Sequence, residues 1–218
     1  MSESDDAVLE FAEVVRRLRA ECPWKASQTH RSLTRYLLEE TQETVEALDA
    51  GDAAHLREEL GDLLLQVFLH TAIAEQAGEF TLGDVAADAT AKMVRRNPHV
   101  LGPEAGDGSG REGLTPAEVN EEWERRKAAE KSSRSSVLDG LPPGLPALLL
   151  ADKVLDRLAR AGRPVTASAP LPPSDPTGPD EVGEQLLALV ARSRLGGIDP
   201  EQALRDAVRR LVADADQT

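Results

Sequence analysis

The chain has 218 residues, 40% hydrophobic and 29% charged, with a formal net charge of −14. That length accommodates one large domain or one domain with a small appendage. The acidity argues against a general nucleic-acid surface, because neutralising backbone phosphates takes basic patches that this balance does not supply. The single cysteine, Cys22, cannot form an intramolecular disulfide, the opening residues are acidic without an apolar signal region, and no apolar run reaches membrane-spanning length, so a cytoplasmic chain with no membrane contact is expected.

Aromatic residues make up only 3% of the chain, so the core has to be aliphatic and the composition favours Leu/Ala/Val helices. Val8, Phe11, Val14, Val15 and Leu18 recur at helical spacing and predict a helix over about 6–21, ended by Pro23. Residues 22–30 read as a connector. A second helix is expected over about 33–49, with Leu37, Leu38, Thr41, Val45 and Leu48 on its inner side and Gly51 as its stop. Asp52 then caps a third, over about 53–76, whose wide stripe of Leu56, Leu60, Leu63, Leu64, Val67, Phe68 and Ala72 marks it as the central helix. Thr81 with Asp84 caps a fourth that ends near Arg96, since the Asn97-Pro98 step disfavours continuation.

Five glycines within 102–113 read as a mobile loop; no strand precedes them, so they do not form a phosphate cradle. Thr115-Pro116-Ala117-Glu118 combines an N-cap, Pro at the first helical position and Glu at the third, opening a fifth helix that runs to about Lys131. Residues 132–136 and Leu141-Pro142-Pro143-Gly144 form a linker into a sixth helix over about 146–161. The six prolines between Pro164 and Pro179 should be irregular. Two final helices follow, the last capped by Asp199-Pro200. The expected organisation is an all-α bundle of about five helices over 1–135 with a helical extension over 136–218.

The chemistry is concentrated in two of these helices. Glu40 and Glu43 share a face of the second helix, with Glu39 one turn before Glu43. On the third, Glu59 and Asp62 repeat the spacing, with Gly61 leaving room for a close approach. Fifteen residues separate Glu43 from Glu59, so an antiparallel pair turning at Gly51 sets residue 40 level with 62 and residue 43 level with 59. A lone Glu-x-x-Glu is ordinarily a solvated helix face. Two matched pairs, one within an apolar stripe, are a different matter, because crowded carboxylates repel unless a cation joins them. All-oxygen ligation selects Mg²⁺ first and Mn²⁺ second, and the Glu-x-x-His motifs of a di-iron bundle are missing from both helices.

The pattern Glu39-Glu40-x-x-Glu43, fifteen residues, Glu59-x-x-Asp62 resembles the MazG-type nucleoside triphosphate pyrophosphohydrolases. The resemblance extends through Cys22-Pro23-Trp24, Gln28-Thr29-His30, Lys92-x-x-Arg95-Arg96-x-Pro98-His99-Val100 and Trp123-x-x-x-Lys127, covering about residues 10–131. It implies an all-α bundle forming a tight homodimer and cleavage of an NTP to NMP and pyrophosphate. Glu40, Glu43, Glu59 and Asp62 become the metal ligands and Glu39 a further ligand or water-orienting group. Lys25 departs from the acidic residue that the family commonly carries after Cys-Pro-Trp.

Lys92, Arg95 and Arg96 at i, i+3 and i+4 form a cluster suited to the β and γ phosphates, against the alternative of an exposed basic helix end. With two tryptophans, one tyrosine and three phenylalanines, a base-stacking platform has few candidates. Trp24 leads, with a core anchor as the competing role, and Gln28, Trp123 and Lys127 complete the expected substrate contacts. The four histidines show no metal spacing and, His99 within the basic motif apart, read as structural or surface residues, and Cys22 as a buried thiol. The C-terminal third echoes the catalytic unit, Glu181-Val182-Gly183-Glu184 answering Glu59-Leu60-Gly61-Asp62, and reads as a decayed second copy without activity. The rival functions are a noncatalytic helical interaction protein and a pyrophosphohydrolase restricted to another nucleotide such as dUTP.

Overall fold

The computed structural model describes residues 3–102, 113–130, 136, 139–163 and 176–215, and every regular element among them is a helix. Most of the glycine-rich loop, most of the serine-rich linker and the proline-rich run up to residue 175 lie outside the described residues. The chain divides into two compact units, 1–128 and 129–218.

The first unit holds α1 (Glu3–Glu21), α2 (Pro23–Ser27), α3 (His30–Ala50), α4 (Ala53–Ala77), α5 (Leu82–Arg96), α6 (Pro98–Leu101) and α7 (Pro116–Ala129). The boundaries follow from capping chemistry. Thr29 accepts from the Ser32 amide at 3.1 Å while Ser32 Oγ accepts from the Thr29 amide at 2.9 Å, fixing the start of α3. Gly51, at φ 71°, ends it in the left-handed region, and Asp52 immediately accepts from the amides of Ala54 and His55, launching α4 antiparallel to α3. Thr81 with Asp84 opens α5 and Thr115 with Glu118 opens α7 by the same reciprocal device.

Helix α4 is central, packing against α1, α3 and α5. Ala12 and Val15 of α1, Leu33 of α3 and Phe68 and Leu69 of α4 form the buried core, flanked by Phe11, Tyr36 and Leu64 among others. Each large side chain so buried stabilises the unit by about 1.5–3 kcal/mol. Glu75 secures the far end, accepting from Arg16 Nε at 3.2 Å and from the Leu82 amide at 3.1 Å.

Two sequence expectations are corrected. The buried face of α3 is Leu33, Thr44 and Ala47, whereas Leu37, Leu38, Thr41 and Leu48 are exposed. The inner side is rotated by roughly 100°, one residue of helix, from the apolar stripe. The connector after α1 contains a helix of its own, because Pro23 occupies a first-turn position where its missing N–H costs nothing. The space beside Gly61 is open, as its spacing implies: a Cβ there would meet nothing within 4 Å.

The second unit comprises α8 (Ala147–Arg160), α9 (Pro179–Leu195) and α10 (Pro200–Ala215). Leu155, Val190 and Ala191 are its buried core. Arg194 of α9 bridges to α8, donating to Asp152 Oδ1 at 2.7 Å and Asp156 Oδ1 at 2.9 Å. Asp199 caps α10 through the amides of Glu201 and Gln202. No helix among the described residues is long and apolar enough to cross a membrane.

Candidate metal centre and nucleotide site

The two-residue turn at Gly51-Asp52 brings the carboxylate-bearing stretches of α3 and α4 together. One carboxylate oxygen from each of Glu40, Glu43 and Glu59 lies within 4.8 Å of the others. Asp62 stands outside this triplet, yet its charge acts on Glu40. Burial, then Asp62, Glu43, Glu59 and Glu39 in decreasing order, raise the Glu40 carboxyl above its ordinary value, because desolvation and like charge both disfavour the ionised form. Glu43 and Glu39 face solvent. Glu59 is only 7% exposed. The donor set is entirely oxygen, which fits a hard divalent cation.

Sequence reasoning missed two supporting groups. His55, one turn before Glu59, reaches its Oε1 with Nε2 at 3.0 Å, orienting the buried carboxylate; the i, i+4 spacing was the available signal. Gln66 follows Asp62 by one further turn and is 4% exposed, with an Oε1 that has no hydrogen-bond partner. Glu59, Asp62, Gln66 and His70 thus run along one face of α4 as a polar seam. At its far end His70 Nδ1 meets His30 Nδ1 at 2.7 Å, the rings stacked with centroids 5.0 Å apart. Burial and then His30 depress the His70 pKa.

Trp24 is 48% exposed on α2 and packs edge-on against Tyr36 at 6.0 Å, with Lys25 Nζ 5.0 Å from its ring centroid. It is therefore a supported, solvent-facing ring and not a core anchor. Gln28 is already engaged: its Nε2 donates to the Trp24 carbonyl at 3.0 Å and its Oε1 accepts from Ser32 at 2.7 Å. Cys22 is half-buried and free.

The basic residues of α5 separate into two kinds. Arg96 is buried, its guanidinium 5.3 Å from the Trp123 ring centroid of α7. Lys92 and Arg95 are on the exposed part of the helix. Lys127 pairs with Glu124 of its own helix at 3.0 Å. In the second unit Glu181 accepts from the amide and hydroxyl of Thr177, at 2.7 and 3.0 Å.

Residues 28–101 match the MazG nucleotide pyrophosphohydrolase domain family. An uncharacterized 26.1 kDa protein of Streptomyces cacaoi is 43% identical over 92% of this chain and 77% of its own length. A nucleoside triphosphate pyrophosphohydrolase of Mycobacterium tuberculosis is 38% identical over 97% of this chain, which spans 58% of that protein. The nucleoside triphosphate pyrophosphohydrolase/pyrophosphatase MazG of Thermotoga maritima is 33% identical over 97% of this chain and 85% of its own. With identity sustained across most of both chains and the family match falling on the helices that carry the acidic cluster, the chain belongs to the MazG nucleoside triphosphate pyrophosphohydrolase family of hydrolases.

Proposed function

We propose that this chain splits nucleoside triphosphates into the monophosphate and pyrophosphate by attack of water on the α-phosphorus, using Mg²⁺, or Mn²⁺ in its place, held by Glu40, Glu43, Glu59 and Asp62. The observation that carries the reading is the convergence of Glu40, Glu43 and Glu59 within 4.8 Å, an arrangement that is repulsive without a cation and favourable with one. When bound, the metal supplies charge neutralisation for the phosphoryl oxygens and acidifies a water. Glu39, exposed one turn before Glu43, orients the attacking water and accepts its proton. His55 holds Glu59 in its ligating orientation. Trp24, backed by Tyr36, offers the base a stacking face, while Lys92 and Arg95 contact the β and γ phosphates. Arg96 serves by fixing α5 against Trp123, and Gln28 by shaping the loop that carries Trp24.

The assembly proposed is a cytoplasmic homodimer. Leu37, Leu38 and Leu48 of α3 and Leu60 and Val67 of α4 are exposed. Both sets are displaced in the same rotational sense from the α3–α4 contact, so in an antiparallel pair they fall on the same side of the hairpin. Exposed apolar side chains gathered on one side of a hairpin are what a tight dimer buries. The second unit is read as a decayed copy of the first: Glu181 is occupied with Thr177, and Asp152 and Asp156, the carboxylates that α8 presents to α9, are paired with Arg194.

The test is incubation of the full chain with a panel of canonical, deoxy and oxidised NTPs, with Mg²⁺ or with chelator. Equimolar NMP and pyrophosphate, lost on chelation, is the expected result. Absence of pyrophosphate across the panel contradicts the proposal.

A further inference from the structure

We infer that Arg19, on the last turn of α1, is a positioning residue for nucleotide binding: it holds the Trp24 segment in its binding conformation without touching the nucleotide. The inference rests on the reading of Trp24 as the base-stacking residue. Helix α2 has five residues, makes no side-chain N-cap hydrogen bond and buries none of its residues. A helix this short is not stable by itself, so something outside it has to fix its position.

Arg19 does so through three acceptors on two separate elements. Its Nη1 donates to the main-chain carbonyls of Lys25 and Gln28, the latter at 2.8 Å, and its Nε donates to Gln76 Oε1 at 2.9 Å. The two carbonyls lie at the C-terminal end of α2, where a cation is favoured; that of Lys25 also accepts from the Gln28 amide at 3.2 Å. Gln76 sits on the last turn of α4. Arg19 therefore clamps α2 to the end of the central helix, and the rigid fork of a guanidinium suits it to meet several acceptors at once. The restraint passes on through Gln28, whose Nε2 holds the Trp24 carbonyl at 3.0 Å and whose Oε1 accepts from Ser32, within the cap of α3. The ring of Trp24 is thereby presented at a fixed distance from the helix that carries Glu40 and Glu43. The acidic cluster itself is built from α3 and α4 alone, so loss of Arg19 should loosen the nucleotide's base contact and leave the metal ligands in place.

The experiment compares Arg19→Ala, Arg19→Lys, Gln76→Leu and Trp24→Ala in the full chain, measuring KM and kcat for the preferred NTP, Mn²⁺ binding by calorimetry and helicity by circular dichroism. Arg19→Ala should raise KM about tenfold, with kcat at saturation and Mn²⁺ affinity within about threefold of the parent. Arg19→Lys, which keeps a donor for one carbonyl, should recover part of the loss. Gln76→Leu should shift KM in the same direction by less and keeps the inference testable if Arg19→Ala fails to fold. Adding Arg19→Ala to Trp24→Ala should raise KM no further. If Trp24→Ala raises KM and Arg19→Ala and Gln76→Leu do not, the positioning role is overturned while the stacking reading stands. If Trp24→Ala leaves KM unchanged, both fall. A fall in kcat or Mn²⁺ affinity equal to the loss in KM would make Arg19 a general structural residue and overturn the inference as well.

Discussion

Replacing Glu59 with Gln separates the two roles assigned to the acidic cluster. Two unit charges 4.8 Å apart repel by about 3.5 kcal/mol at an effective dielectric of about 20 and by about 0.9 kcal/mol in bulk water. Glu59 is buried while Glu43 faces solvent, so each pair lies between these limits. Glu59→Gln removes two of the three repulsions and gives up the contact with His55, a partly exposed pair that returns only a fraction of the gain. The metal-free variant should be more stable than the parent by roughly 1–3 kcal/mol, a rise of a few degrees in Tm. Mg²⁺ at a hundredfold excess over its Kd should stabilise the parent by about 2.7 kcal/mol and the variant far less, and kcat should fall by about 10²–10³, the scale of losing one group that stabilises transition-state charge. Thermal melts in chelator and in Mg²⁺, with a pyrophosphate-release assay, read all three quantities. A metal-free variant that melts below the parent, or one that keeps near-parental kcat at saturating Mg²⁺, would refute the reasoning.

Lys92→Ala and Arg95→Ala should each lower kcat/KM by about 1.5–3 kcal/mol equivalent without changing Tm, whereas Arg96→Ala should lower Tm through loss of the Trp123 contact, worth about 0.5–2 kcal/mol; the reverse pattern would exchange their roles. Leu38→Glu combined with Leu60→Glu should give a helical monomer by light scattering, and an unchanged mass would place the dimer interface elsewhere. His70 has a folded-state pKa below its ordinary 6.5, so the unfolded chain binds more protons and stability should fall as pH drops through about 6.5. His70→Phe should flatten the Tm-versus-pH curve between 7.5 and 5.5, and a slope equal to the parent's would contradict the assignment. Truncation after Ser135 should leave metal-dependent turnover, and Glu181→Gln with Glu184→Gln in the full chain should barely change kcat.

Helix identity was legible wherever a cap announced it: Asp52, Thr81 with Asp84, Thr115 with Glu118 and Asp199 all act as capping residues in the structure. The approach of Glu40, Glu43 and Glu59 was legible because the spacing within each pair is a property of one helix and the meeting of the helices a property of one short turn; that Asp62 stands outside the triplet was not. The inner face of α3 was not. An apolar stripe does not say which of its residues pack within the chain, and Leu37, Leu38 and Leu48 are exposed. The face that packs within the chain is instead marked by smaller and polar residues such as Thr44 and Ala47, next to Glu40. Helix α2 was hidden because five residues carry no period and Pro23 read as a stop when it served as a start. Arg19 could not be found from sequence at all, since its acceptors are main-chain carbonyls and a side chain 57 residues away, and neither leaves a pattern in the residues around it.

The most direct test of the central claim is turnover of the full chain in ¹⁸O-labelled water with Mg²⁺ and a nucleoside triphosphate. Attack at the α-phosphorus predicts one ¹⁸O in the nucleoside monophosphate and unlabelled pyrophosphate in equal amount. Label in the pyrophosphate, or release of orthophosphate with a nucleoside diphosphate, would contradict it.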